Sequence, residues 1–228
     1  MRKFTSYYTQ KKIAKKYDRI RYQTARGRFW DSLEKETIFS FFHGDRFLDL
    51  GCGTGRIAIE AKNMGFNVFA LDISSEMLRE AKSKNPSIAY VKGSVEEIPF
   101  KKDSFDSVAM FRIFCHLKTH KKVLNEAFRV LRTNGHFIFD VSNKFFSGRF
   151  FKIQRASEVY YPSKEHVEKE AIAAGFKIIG VTYFKTFLLA SLLARFKLLR
   201  KHLKKIEKIM SRSPFKMFSD SFIFYLKK

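Results

Sequence analysis

From Arg46 onward the chain alternates short apolar runs with longer stretches in which apolar residues recur every three or four positions. The runs Arg46–Leu50, Asn67–Asp72, Ile88–Val91, Phe105–Phe111, His136–Val141, Phe176–Tyr183 and Ser221–Leu226 have the length and β-branched or aromatic content of buried strands. Between them, Ile57–Asn63, the stretch from Ser74 and Ser75 to Ser83, Thr119–Leu131 and the stretch from Ser163 to Ala174 carry helical spacing. Ser74, Ser75 and Ser163 are placed to cap helix starts, and Asn134-Gly135 and Gly175 to stop helices. Two further helices are predicted over residues 9–22 and 28–42. Alternating strands and helices predict an α/β fold with a parallel sheet and right-handed crossovers. Ligands of such sheets bind beyond the carboxyl ends of the strands. No internal repeat or low-complexity linker interrupts the pattern.

The turn after the first strand is Leu48-Asp-Leu-Gly-Cys-Gly-Thr-Gly55. Glycine is needed where the backbone turns sharply and a ligand approaches without a Cβ in the way. A nicotinamide or flavin site of the G-x-G-x-x-G type would require glycine at position 56, where this chain has Arg56. S-adenosylmethionine (SAM) has no pyrophosphate and suits the tighter G-x-G-x-G turn better. Asp72 ends the second strand, 21 residues after Gly51. A carboxylate there can accept hydrogen bonds from both hydroxyls of an adenosine ribose.

These segments together resemble the class I SAM-dependent methyltransferases of the type 11 group. LDLGCGTG matches the group's first motif and Leu71–Leu78, LDISSEML, its second. Gly93–Met110 resembles the third and fourth, and Val123–Asn143 the helix and strand that follow. The likeness covers roughly residues 46–184. It implies a Rossmann-like, seven-stranded, mostly parallel sheet with an antiparallel last strand. The implied organisation is an N-terminal helical cap (1–45), a SAM-binding core (46–184), a basic helical insertion (185–216) and the last core strand (217–228).

The resemblance also implies the cofactor contacts. Asp49, Gly51 and Gly53 line the methionine side of SAM, Asp72 holds the ribose, and Ile73 packs on the adenine. Cys52 lies in the same turn, where the group commonly has cysteine, and is given no chemistry. Ser94, beside Val95, stands where the group usually has an aspartate facing the adenine amino group; its hydroxyl or Glu96 would take that bond. Phe111 and Arg112 fall where the fourth strand opens onto the methyl group and the acceptor. Methyl transfer from a sulfonium is an in-line displacement, so positioning does much of the catalysis. A base is needed only for an acceptor that must lose a proton, and His116, in the FCHL segment after the fourth strand, is the candidate. A histidine simply hydrogen-bonded at a helix start is the competing reading. Tyr17 or Tyr22 would cover the sulfonium with an aromatic face.

Cys52 and Cys115 are the chain's only cysteines, too few for a disulfide framework and without metal-ligand spacing, so a reducing, cytoplasmic setting and no metal are expected. The basic N-terminus lacks the apolar stretch of a signal peptide, and Phe187–Ala194 is too short to span a bilayer. The net charge of +23 is unevenly spread. Residues 1–30 hold ten Lys/Arg against Asp18, and residues 184–216 hold ten against Glu207. In the second segment Leu188, Leu192, Phe196, Leu199, Leu203, Ile206 and Met210 form an apolar stripe, with Lys197, Arg200, Lys201, Lys204, Lys205 and Lys208 on other faces. Both basic segments are expected to rim the substrate mouth. Three readings stand side by side. One is a small-molecule or lipid-linked acceptor, with the insertion as a lid that can also lie on an anionic membrane surface. Another is a tRNA or rRNA acceptor held through its phosphates. The third is a non-catalytic SAM-binding or basic interaction protein.

Overall fold

A computed structural model of the chain describes residues 7–143, 160–185, 193–213, 216 and 219–228. Two helices, α1 (Lys11–Arg21) and α2 (Ala25–Phe39), precede the sheet. Then follow β1 (Arg46–Leu50), α3 (Arg56–Asn63), β2 (Asn67–Asp72), α4 (Ser75–Lys84), β3 (Ala89–Lys92) and β4 (Phe105–Met110). A 3-10 turn (Phe114–His116) leads to α5 (Lys121–Val130), β5 (Leu131–Ser142), α6 (Lys164–Ala173) and β6 (Lys177–Phe184). A second 3-10 turn (Lys197–Leu199), α7 (Arg200–Met210) and β7 (Ser221–Lys227) complete the order. Ser74 caps α4 by accepting from Met77 N at 3.2 Å, and Ser163 caps α6 by accepting from His166 N at 3.2 Å.

The strands form one seven-stranded sheet in the order β3-β2-β1-β4-β5-β7-β6. The pairs from β3 through β5 are parallel, and β7 runs antiparallel to both β5 and β6. Side chains alternate across the pleat, so adjacent residues of one strand serve two cores. Phe137 and Phe139 pack with Leu124, Ala127 and Val167 under α5 and α6. Ile138 points the other way, into a cluster with Trp30, Leu33, Ile38 and Ala61 under α2 and α3. The expected fold is therefore observed, including the antiparallel last strand.

Two local expectations differ from the structure. The helix over Thr119–Leu131 ends at Val130, and β5 begins at once at Leu131. Asn134, with φ +65°, stops no helix. It sits in an irregular stretch of β5 and donates its N–H to Lys228 O at 3.1 Å. An αL asparagine beside glycine serves a turn between strands as readily as a helix end.

The second difference concerns the insertion. Leu188 and Leu192 of the apolar stripe lie outside the described residues. On α7 only Leu203 of the stripe is buried, and its neighbour on the inward face is Glu207. The seam is rotated because α2 presents polar partners. Lys204 Nζ donates to Ser32 Oγ at 2.9 Å and pairs with Glu36 at 3.2 Å, and Lys208 pairs with Glu36 at 2.6 Å. Phe196, Leu199, Ile206 and Ile209 are left facing outward, as is Leu198.

Candidate cofactor and acceptor site

The carboxyl ends of β1 and β2 lie side by side, with Leu50 in register with Leu71. Leu71 O accepts from Gly51 N at 2.7 Å and from Cys52 N at 2.9 Å, which folds the glycine-rich turn over the end of β2. Gly51 has φ +70°, and a Cβ there would lie 2.4 Å from Ile113 Cγ1, so only glycine fits. Gly53 has φ +54°, and a Cβ there would meet nothing within 4 Å. The turn thus presents bare backbone to open space, the cradle a close-lying ligand requires.

Two buried carboxylates anchor this turn. Asp49 Oδ2 accepts from Ala58 N at 3.0 Å, at the start of α3. Burial pushes its carboxyl up to about 7, against the pull of Arg56 and of that hydrogen bond. Asp72 Oδ2 accepts from Gly53 N and Oδ1 from Ser74 N, each at 2.8 Å. Burial raises this carboxyl too, opposed by the backbone N–H groups it accepts from. Each Asp72 oxygen retains a further acceptor site, so the residue can hold the turn and still receive two ribose hydroxyls. Ile73 is partly exposed beside it. Ser94 follows β3, and its Oγ accepts from Glu96 N at 3.1 Å, with Val95 packed against the core. SAM fits this set of residues: an open glycine cradle, a carboxylate with spare lone pairs and an exposed apolar side chain.

The N-terminal cap closes over the turn. Thr54 Oγ1 donates to Asp18 Oδ1 at 2.5 Å, and Lys84 pairs with Asp18 while donating to Thr54 O at 2.8 Å. Ser74 Oγ donates to Tyr8 O at 2.8 Å. Tyr8, Tyr17 and Tyr22 form an edge-to-face row with ring centroids 5.9 Å apart. Tyr22 carries the guanidiniums of Arg56 and Arg112 at 5.0 and 5.2 Å from its ring centre. Burial raises the Tyr17 hydroxyl above its ordinary range, so it stays neutral at physiological pH.

Beneath the cap lies an ion-pair network with Glu34 at its centre, a residue only 3% exposed. Glu34 receives Arg56 at 2.6 Å and Arg112 at 3.1 Å, and Arg56 also pairs with Asp31 at 2.6 Å. Burial alone would raise the Glu34 carboxyl, but Arg112 and Arg56 outweigh it and hold it at about 2. Arg112 has φ +63°, and its N–H donates to Asp140 Oδ1 at the end of β5. Burial and the nearby Glu34 push Asp140 up to about 6.

The structure therefore brings Asp49, Gly51, Cys52, Gly53, Asp72 and Ile73 together, with Phe111 and Arg112 at the neighbouring end of β4. His116 closes the 3-10 turn beyond β4, and its N–H donates to Ile113 O at 2.8 Å. The Arg112 side chain is directed to Glu34. Sequence reasoning missed Glu34, Asp31, Asp140 and the clamp formed by Asp18. Arg56 was noticed only as the residue in place of a dinucleotide-binding glycine; that departure was the one available signal for the network.

Residues 48–139 match the methyltransferase domain family. Residues 48–139 are thus a methyltransferase domain, set in a sheet of the class I methyltransferase order. An uncharacterised protein of Methanocaldococcus jannaschii is 37% identical over 134 residues, covering 58% of this chain and 49% of the relative. A demethylmenaquinone methyltransferase of Renibacterium salmoninarum is 31% identical over 128 residues, covering 55% and 54%. The chain spans about half the length of the curated relatives it matches. A solved SAM-dependent methyltransferase of Thermotoga maritima superimposes with a TM-score of 0.69 at 21% identity, covering 96% of this chain and 97% of its own. That likeness is one of fold and reaches well beyond the matched domain.

Proposed function

We propose that the protein is a SAM-dependent methyltransferase whose acceptor is a small or lipid-linked molecule met at an anionic membrane surface. The cofactor half of the proposal rests on the open Gly51–Gly55 cradle beside Asp72. When bound, SAM supplies an activated methyl group. Asp72 holds the ribose, Ile73 flanks the adenine, and Ser94 and Val95 lie at the adenine edge. The Gly51-Cys52-Gly53 backbone and Asp49 flank the methionine portion, and Tyr17 closes the site from the cap. Phe111 walls the methyl side. Arg112 acts as a positioning residue, tying the end of β4 to Glu34 and Asp140. His116 takes a proton when the acceptor must lose one.

The acceptor half is carried by one observation. Phe196, Leu198 and Ile209 are 47%, 90% and 60% exposed, and Lys201, Lys205 and Arg212 are exposed close by in the same segment. A helical segment with outward apolar groups and adjoining lysines suits the boundary between headgroups and acyl chains. RNA binding through phosphates would use the cations and gain nothing from leucine and isoleucine in water. A quinone precursor, of the kind named for the Renibacterium relative, belongs to the supported acceptor class.

The test is transfer of radiolabelled methyl from SAM into RNA, protein, lipid and small-molecule pools of a cell lysate. Label in the organic-soluble or small-molecule pool, absent with Asp72→Ala protein that retains its circular dichroism, is the expected result. Label confined to RNA would overturn the acceptor assignment. Unchanged SAM affinity in Asp72→Ala would overturn the ribose assignment.

A further inference from the structure

On the far side of β4 from the glycine turn, the start of α5 meets α6. His120 precedes α5 directly, and His166 and Glu170 stand one turn apart on α6. The Glu170 Oε2 atom lies 3.5 Å from His120 Nδ1 and 3.5 Å from His166 Nε2. One donor atom from each of the three side chains falls within 4.8 Å of the others.

These separations are too long for hydrogen bonds, whose N···O distances run to about 3.2 Å. The two separations from Glu170 suit the edges of a tetrahedron around zinc. Bonds of about 2.0–2.2 Å place neighbouring ligand atoms roughly 3.3–3.5 Å apart. Burial fits as well. His120 has 6% of its side chain exposed. Its Nε2 and the Oε2 of Glu170 are both buried without a hydrogen-bond partner. Leaving such atoms unmatched is costly, and a cation at the Oε2 side relieves the carboxylate's share. The His120 ring is held in place by stacking on Phe114, with centroids 4.1 Å apart and planes 6° apart. His166 and Glu170 occupy i and i+4 on one helix face, so a single metal can meet both.

We propose that His120, His166 and Glu170 form a binding site for one divalent transition-metal ion of the zinc class. Two imidazoles and one carboxylate favour zinc over magnesium or calcium, which take oxygen ligands. Three protein ligands leave a fourth position for water. The ion would join the start of α5 to α6 and, through the Phe114 stack, steady the 3-10 turn that carries His116. The nearest part of the acceptor mouth would then depend on metal content.

The experiment uses the full chain, stripped with a chelator and titrated with zinc chloride by calorimetry, with thermal melts in parallel. One equivalent should bind, and Tm should rise by roughly 5–10 °C at a hundredfold excess over Kd. Cobalt substitution should give the visible absorption of a tetrahedral ion. Because His120 is buried, the informative variant is His166→Ala, which alters an exposed side chain. It should melt like the metal-free wild type and lose at least tenfold in zinc affinity, as should Glu170→Gln. The proposal is overturned by absence of saturable binding, or by wild-type zinc affinity in His166→Ala.

Discussion

Single residues carry the site's electrostatics, and Glu34 carries most of them. Its carboxyl sits at about 2 in the folded chain against an ordinary 4.5. A depressed acid contributes stability that is present above its unfolded pKa and lost as pH falls through the folded value. Unfolding free energy should therefore drop by roughly 3 kcal/mol between about pH 4.5 and pH 2 on this account. Glu34→Gln should flatten that limb, and because it leaves two guanidiniums without their shared carboxylate it should also cost about 3 kcal/mol at neutral pH. Urea melts across pH, on both proteins, check the two statements together. Asp49 acts with the opposite sign. Its raised carboxyl favours the folded state at low pH and loses that contribution as pH rises through about 7. Asp49→Asn should therefore remove part of any decline in stability between about pH 4 and pH 7, measured the same way.

At the scale of elements, legibility followed how local each signal was. β1 and β2 were readable to the residue because each is a short apolar run closed by a glycine turn or by Asp72. The end of α5 was misjudged because Asn134-Gly135 carries a local conformational preference that two kinds of turn share, and its partner is Lys228 at the other end of the sequence. The face that α7 buries was misjudged for a similar reason. Spacing marked the apolar residues, whereas Ser32 and Glu36 on α2 decided which side turned inward. The glycine turn and Asp72 were legible as a motif; the Glu34 network was not. Its members come from α2, α3 and the ends of β4 and β5, and nothing adjacent to Glu34 distinguishes it from the exposed Glu36. The clamp of α1 onto the turn is of the same kind, and it rests on the single acid among residues 1–30. Asp18→Ala should release Lys84 and Thr54 and loosen α1 while leaving the sheet intact. Hydrogen exchange should then quicken at least tenfold in residues 11–21 and stay unchanged in β1 and β4.

For the whole molecule, the placement of charge matters more than its total. No helix among the described residues is long and apolar enough to cross a membrane. On the function proposed above, the exposed apolar side chains of the insertion are the surface that would rest on one. Flotation with vesicles containing phosphatidylglycerol should retain the wild-type chain, and retention should weaken as salt rises. A Leu198→Glu, Ile209→Glu double variant should float poorly at any salt and keep its melting temperature, since both side chains already face water. Equal flotation of variant and wild type would remove the insertion from membrane contact.

The position of β7 has a further consequence. This strand lies between β5 and β6, although residues 221–227 follow both in sequence. As the chain leaves the ribosome, β1 to β5 can pair in the order they appear, but β6 has no neighbour until β7 is made. The β5 edge stays a bare row of backbone donors and acceptors while roughly eighty residues are synthesised, from Ser142 to Ser221, and β6 is an unattached strand for about the last forty of them. The cofactor cradle, built from β1, β2 and β4, can therefore be shaped well before the sheet is closed. A newly made chain would gain from early cofactor capture during that interval, and a chaperone that shields strand edges would find its target at β5.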